Sequence, residues 1–564
     1  MRRMEGEFAA ELALVRPDLS DAYAEALPGA RAAVLGRLWR GLLYEPLPGL
    51  AATGPGCVVL ADGRRLTGRA RRPYDVGGEA VLRLDGLPHT HPAELLAALA
   101  LPGTARLIED LDNSVASLAL SRAANRSSAP SDRPPRRPTT PPDAFSLSVP
   151  SEGAWLPSAA PMRRRSAAPL DGPTPPSAAN LKDSTASLED FEQSVVDGHP
   201  YHPGCRNRPG VSVAEQLAYM PEHRPVVALD LLALPSKECL VTGPWPDSLR
   251  DGDQLLLPVH PWQTRHVLPG LGLRPYAIGV IPARPLMSVR TLSPLDGGPH
   301  LKTAFSTRMT SGIRDISPGS VRDCVPLSDL LTTVSVRCGG GLRTARYLAG
   351  AAGAVNGEHS ADLSVLLREP TPEAGTVLPV AALSRAMVPD PFAWLAAFAR
   401  LAWENALRLL SFGVALEAHG QNLVVALGGD GLAYRLIYRD LADVRISPAR
   451  LARNGVEVPP VSARLLSDDP AVLHAKLFGS LVGTTFGSLV SLFGQGDRDV
   501  EARLWEVVAT AARQACTALP APDVRALFAE RITVKAHLLA RLEGAPPGDS
   551  WTSLPNPLIT LGAP

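Results

Sequence analysis

Four segments of the sequence carry chargeable side chains where core or turn residues would be expected. In one of them Arg290, Lys302 and Arg314 recur twelve residues apart, with Ser288, Thr303, Ser306, Thr310 and Ser311 between and around them. Cations interleaved with hydroxyls suit a polyanion such as a nucleoside triphosphate or a di- or tricarboxylate. A strand over 287–291 would put Ser288 and Arg290 on one face, and a strand over 300–306 would do the same for Lys302, Ala304 and Ser306. A solvated, charged strand face is the competing reading. The second segment is Glu417-Ala418-His419-Gly420-Gln421-Asn422, followed by Arg439-Asp440. In a strand over 414–427, Glu417, His419 and Gln421 share a face, and buried polar groups of this kind are costly unless paired. A carboxylate, an amide and a second carboxylate across a hairpin are oxygen ligands that Mg²⁺ accepts beside phosphates, much as protein kinases use an Asn and an Asp. The alternative is an internal hydrogen-bond network.

The third segment is Gly198-His199-Pro200-Tyr201-His202-Pro203-Gly204-Cys205-Arg206-Asn207-Arg208. Each proline biases the residue before it away from helix, so the two His-Pro pairs make a stiff turn. That turn either offers imidazole and guanidinium donors to phosphate or is structural, with its histidines satisfied. The fourth, Pro258-Val259-His260-Pro261-Trp262-Gln263, ends a strand. A buried Trp and His closing a sheet edge is its favoured reading.

The elements that position these segments follow from periodicity and turn residues. Helical spacing appears over 7–15, 30–43, 92–101, 107–120, 184–196 and 392–412, the last ending at Gly413. Strands are expected at 57–60 and 64–70 around Asp62-Gly63, then at 226–231, 254–259, 276–281, 287–291 and 300–306. A hairpin of 414–427 and 432–438 turns at Gly428-Gly429-Asp430-Gly431, and the remainder to 542 reads as mainly helical. Residues 1–123 form one N-terminal region. Residues 124–183 are rich in Pro, Ser and Arg, and read as a disordered insertion that cannot offset its ordering entropy. The stretch 184–387 holds three of the chemical segments and 388–564 holds the fourth, Glu417–Asn422 with Arg439-Asp440.

Composition narrows the classes. The 564 residues carry 56 Lys+Arg and 56 Asp+Glu, a net charge of zero, so a chain living on phosphate-backbone contacts to nucleic acid is disfavoured. The six cysteines are scattered without CxxC spacing, as expected of reduced thiols in a cytoplasmic protein rather than a disulfide framework or zinc site. The N-terminus runs into an acidic helical pattern and not a signal peptide, and no apolar stretch of bilayer-spanning length is expected. P-loop, HExxH, GxSxG and GxGxxG patterns are all missing. Only five basic residues are lysine (182, 237, 302, 476 and 535), which gives a lysine inside a motif added weight.

Taken in order, GHPYHP at 198–203, YMPE at 219–222, PVHPWQ at 258–263, KTAFSTRMTSGIR at 302–314, EAHGQN at 417–422 and RDL at 439–441 resemble the NRPS-independent siderophore synthetases of the aerobactin-synthetase (IucA/IucC-like) family. The resemblance implies an α+β, multi-lobed hand of thumb, fingers and palm, with antiparallel sheets, a helical C-terminal region and a homodimeric assembly. It implies ATP and Mg²⁺ as cofactors. It also implies adenylation of citrate or a related di- or tricarboxylic acid, then attack by an amine, hydroxylamine or alcohol, with neither nucleic acid nor membrane as partner. By motif position, His202, Ser288, Arg290, Lys302, Gln421 and Asn422 would line the ATP site, and Glu417 and Asp440 would hold Mg²⁺. Thr310, Arg314 and His419 would hold the substrate carboxylates, and Lys302, Arg314 and His419 would be catalytic. The sequence departs from the family pattern after the second His-Pro, where Arg206 and Gly210-Val211 stand in place of a Lys and a Gly-aromatic pair. A kinase-like phosphotransferase and a non-catalytic binding protein are the competing classes.

Overall fold

In a computed structural model, residues 2–126 and 186–559 are described, apart from 311, 372, 374 and 546–548. All but the first three residues of the proposed 124–183 insertion therefore lie outside the described residues; 124–126 end a helix, Ala105–Arg126.

The N-terminal part packs helices Arg3–Val15, Ser20–Tyr44, Pro92–Leu99 and Ala105–Arg126 around a five-stranded antiparallel meander. Leu35, Leu38, Trp39, Leu111 and Val115 are fully buried in its core. The meander begins with Leu50–Gly54 and Cys57–Leu60 and ends at Leu87–His89.

A nine-stranded sheet follows, in the order Cys239–Thr242, Tyr347–Val355, Glu358–Arg368, His300–Thr303, Thr291–Pro294, Ala277–Pro285, Val227–Pro235, Gln254–Val259 and Arg250–Asp251. Every pair in it is antiparallel. Here Lys302 sits opposite Thr291 on one side and Leu366 on the other. The chain then leaves this sheet for a separate two-stranded ribbon, Phe305–Met309 with Gly312–Arg314.

The C-terminal part is built on the helix Pro391–Phe412. Asp390 accepts hydrogen bonds from the Phe392 and Ala393 N–H groups at its start. Gly413 ends it with φ of 111°, where a Cβ would come within 2.8 Å of the Arg450 Cβ. Its apolar face buries Trp394, Phe398 and Trp403 against Phe486 and Phe493, each such side chain stabilising the fold by about 1.5–3 kcal/mol. Beside it lies a four-stranded sheet ordered Leu342–Thr344, Ala433–Tyr438, Leu423–Leu427 and Val377–Pro379. The first pair is parallel, an exception to the expected antiparallel pairing.

The architecture is α+β, as expected, but four local readings change. Residues 287–290 form a turn between two strands, so Ser288 and Arg290 do not share a strand face. The expected strand 300–306 is two strands in different sheets, broken at Ala304. The expected strand 414–427 is only Val414–Ala415 and Leu423–Leu427, with a looped 416–422 between them. The helix expected over 184–196 is the short Leu188–Glu192. Near the C-terminus, Arg531–Lys535 and Trp551–Pro555 pair as a hairpin beside the expected helices. The run Pro470–Gly494 is, against expectation, long and apolar enough to cross a membrane, with mean hydropathy 1.5; 78% of that window is buried inside the fold, where Leu473, Leu477, Leu481 and Phe486 serve the core.

Candidate active site

Lys302 and Asp440, 138 residues apart, meet directly: Nζ lies 2.5 Å from Oδ1. Tyr347 completes a triangle, accepting from Lys302 Nζ at 3.2 Å and donating to Asp440 Oδ1 at 3.3 Å. The lysine is 3% exposed, whereas the aspartate side chain is 38% exposed. Burial, helped by Arg290 and Arg368 and opposed by Asp440, pulls the Lys302 ammonium down to about 8. Burial alone would raise Asp440, but Lys302, Arg290 and Arg368 hold its carboxyl well below the usual carboxylate range. Asp440 has φ of 67°, a left-handed conformation that Asp tolerates better than most residues and that recurs at functional sites.

Arg290 and Arg314 converge on the same group. The Arg290 Nη1 donates to the Asp315 carbonyl, and its buried Nε has no partner among the described residues. Arg314 closes the two-stranded ribbon, and among the described residues its guanidinium has no hydrogen bond or ion pair. Burial and the nearby Arg290 lower it to about 10, so it stays charged at neutral pH. Thr310, at the ribbon's turn with φ of 52°, reaches the Cys205 carbonyl of the His-Pro turn at 3.5 Å.

The loop 416–422 explains why strand alternation misleads here: side chains and turn bonds such as Asn422 N–H to the His419 carbonyl, rather than a strand ladder, satisfy its backbone. Tyr438 Oη accepts from the Glu417 N–H, and Asn422 Nδ2 donates to the Glu417 carbonyl. The apolar run 470–494 clamps Ala418 from both sides, Ser480 accepting its N–H at 2.8 Å and Thr485 donating to its carbonyl at 2.6 Å. That run is interrupted there by a π-helical turn, Leu481–Phe486, a distortion often found at functional sites. Gln421 gives its carbonyl to Arg439.

Glu417 is bound differently from Asp440. Its Oε1 lies 2.6 Å from Lys535 Nζ and 3.4 Å from Lys476 Nζ, and Asp549 bridges the same two lysines at 2.9 and 3.1 Å. Its Oε2 faces His419 Nε2 at 3.8 Å. Burial would raise Glu417, yet Lys535, His419 and Lys476 lower it; burial lowers His419 against the pull of Glu417. The charge of Asp440 also acts on His419, in the same direction as that of Glu417.

The His-Pro turn forms the remaining side. His199 Nδ1 accepts from the Tyr201 and His202 N–H groups, and His202 Nδ1 accepts from the Gly204 N–H. Both rings therefore carry their proton on Nε2. With His537 they form a trio at ring distances of 4.5, 5.5 and 6.2 Å. Burial pushes all three well below the usual histidine range, leaving neutral donors near Arg314 and His419.

Other expected residues are structural. Arg206 turns to the carbonyls of Val195 and Val196 and toward Glu222. In PVHPWQ, His260 caps the next helix through Trp262 N–H, Trp262 stacks on Phe305 at 4.5 Å, and Gln263 bonds Ser306 at 2.9 Å, as the favoured reading of that segment has it. An open groove of about 530 Å³ between Pro391–Phe412 and Arg498–Ala515 includes none of the site residues. Sequence reasoning missed Lys476, Lys535, Asp549, His537, Tyr347 and Arg368. The scarcity of lysine was the available signal, since three of the five (302, 476 and 535) stand here.

Residues 187–385 match the family model described as "IucA / IucC family". Residues 187–385 form an IucA/IucC family domain. Residues 393–549 match a second model, "Ferric iron reductase FhuF-like transporter"; that stretch contains a single cysteine, Cys516. The chain is similar to staphyloferrin A synthase of Staphylococcus aureus, 24% identical over 417 residues, covering 64% of this chain and 71% of the relative. It is also similar to D-ornithine–citrate ligase of the same species, 23% identical over 420 residues, 58% of this chain and 61% of the relative. Among solved structures, the petrobactin biosynthesis protein AsbB from Bacillus anthracis aligns with TM-score 0.71 at 17% identity, covering 96% of this chain and 98% of that one. The ATP-bound aerobactin synthetase IucA from Klebsiella pneumoniae aligns with TM-score 0.67 at 18% identity, covering 94% and 99%. At those identities the structural likeness establishes a shared IucA/IucC-type fold.

Proposed function

We propose that this chain is an ATP-dependent siderophore synthetase that adenylates a carboxylate of citrate or a related polycarboxylic acid and joins it to an amine, hydroxylamine or alcohol. The observation that carries this reading is the Lys302–Asp440 contact, which gathers Arg290, Arg314 and His419 around one buried, cation-rich point. The ligase names of the relatives supply the reaction class.

In the first step a carboxylate oxygen attacks the α-phosphorus and pyrophosphate leaves. Two anions must approach, so preorganised cations matter most. Lys302 and Arg290 take the phosphates, with Ser288, His202, Gln421 and Asn422 beside them. Arg314, without a protein partner among the described residues, pairs with the acid, and Thr310 lies next to it. Holding the acid in line with the phosphorus is itself a large part of the rate. In the second step the nucleophile attacks the acyl carbon, AMP leaves, and the neutral imidazole of His419 takes the released proton.

Mg²⁺ fits this donor set. Asp440 has an exposed carboxylate whose Oδ2 has no partner among the described residues, and Glu417 keeps Oε2 free of the lysines. One or two carboxylates plus phosphate oxygens are its usual ligands. Bound there, the ion would neutralise phosphate charge.

The test is product analysis. Incubation with ATP, Mg²⁺, citrate and a panel of amines should yield AMP and pyrophosphate. ADP with a phosphorylated product, or no nucleotide turnover with any acid, would overturn the proposal.

A further inference from the structure

Arg439 shares a motif with Asp440 but turns away from Lys302. Its guanidinium pairs with Glu192, Nη1 to Oε1 and Nη2 to Oε2 at 3.1 Å, across 247 residues of sequence. The two side chains are 5% and 0% exposed. Both partners are also fastened to backbone. Glu192 Oε2 accepts the Met287 N–H at 3.0 Å, at the start of the turn that bears Ser288 and Arg290. The adjacent Gln193 Nε2 donates to the Pro285 carbonyl at 3.0 Å, just before that turn. Arg439 Nε donates to the Gln421 carbonyl at 2.9 Å, and its N–H donates to the Asn422 carbonyl at 3.1 Å. One buried ion pair thus ties the Ser288–Arg290 turn to the loop and strand end that present Gln421, Asn422 and Asp440.

Fold stability alone does not call for such a pair. Well-packed apolar replacements of buried ion pairs are often neutral or stabilising, and fixing register is the best-attested use of such pairs. The fork-to-carboxylate geometry constrains direction as well as distance, and a misplacement of about 1 Å can cost about a hundredfold in rate.

We propose that Glu192 and Arg439 are positioning residues, a bolt that holds the Ser288–Arg290 turn and Asp440 in one geometry toward the phosphates of ATP. This rests on the nucleotide site proposed above. ATP with Mg²⁺ is titrated calorimetrically into the full chain, with thermal melting followed in parallel, for the parent, Glu192→Gln and the Glu192→Met/Arg439→Met double variant. Glu192→Gln should melt lower, because Arg439 is left buried and uncompensated, and the double variant should melt close to the parent. Both variants should bind ATP about ten- to a hundredfold more weakly. In turnover, the KM for ATP should rise while the KM for the acid stays near the parent value. A double variant with parental melting and parental ATP affinity overturns the inference, as do unfolding of both variants or an equal rise in both KM values. If the parent itself binds no ATP, the nucleotide reading fails first, and this inference goes with it for that separate reason.

Discussion

The two carboxylates assigned to one role from sequence sit in contrasting surroundings. Asp440 has one ammonium, a tyrosine hydroxyl and an exposed face. Glu417 is locked in a lattice of two lysines and a second acid, Asp549. The first centre can exchange partners when an anion arrives, because Lys302 is held by a single carboxylate and its ammonium is already pulled down to about 8. The second is built to stay. On the proposed reading the chemistry centres on Lys302–Asp440, while Glu417 holds Lys476 and Lys535 beside His419.

Substitutions separate the two centres, beginning with the largest effect. Lys302→Ala should lower kcat by about 10²–10³, the usual cost of a lost charge-stabilising donor, with melting nearly unchanged because Asp440 falls back on solvent. Arg314→Ala should raise the KM for the acid by at least about tenfold, a loss of ~1.4 kcal/mol, and leave melting equal or slightly higher, since a desolvated cation without a partner among the described residues is removed. Steady-state kinetics beside calorimetry distinguish the two. Glu417→Gln should behave in the opposite sense. It leaves Lys476 and Lys535 short of a counter-charge and should cost about 3–5 kcal/mol of stability, as breaking buried pairs does. A variant that melts like the parent would erase the proposed contrast.

Proton linkage sharpens the same comparison with smaller effects. Glu417 titrates below its unfolded value, so its stabilisation is present above the ordinary carboxylate range and is lost as pH falls through the folded pKa. Lys302 is shifted the other way for a lysine. Its charge, and with it phosphate attraction, is present below about 8 and lost above. The value of kcat/KM for ATP should therefore fall as pH rises through about 8, and Lys302→Arg should abolish that limb while retaining a charge.

Much of this was legible from residue order. The helix after Asp390, the strand Gln254–Val259 and the hairpin arm Cys57–Leu60 follow from apolar spacing and punctuation. The loop 416–422 was not, because its polar residues alternate like a strand while Ser480, Thr485 and Tyr438 supply the hydrogen bonds a sheet would give. Arg290 was placed on a strand for a similar reason, its turn being held by Glu192 from nearly a hundred residues away. The convergence of Lys302, Arg290, Arg314, His419 and Asp440 was anticipated from motif order. Lys535 and His537 were not, since they arrive on a C-terminal hairpin that carries no distinctive spacing.

The most direct test of the central claim follows an oxygen atom. With citrate labelled with ¹⁸O in its carboxylates, ATP, Mg²⁺ and an accepted amine, the AMP formed should carry one labelled oxygen, transferred when the carboxylate attacked the α-phosphorus. Unlabelled AMP, or label found in orthophosphate alongside ADP, would contradict adenylation at this site.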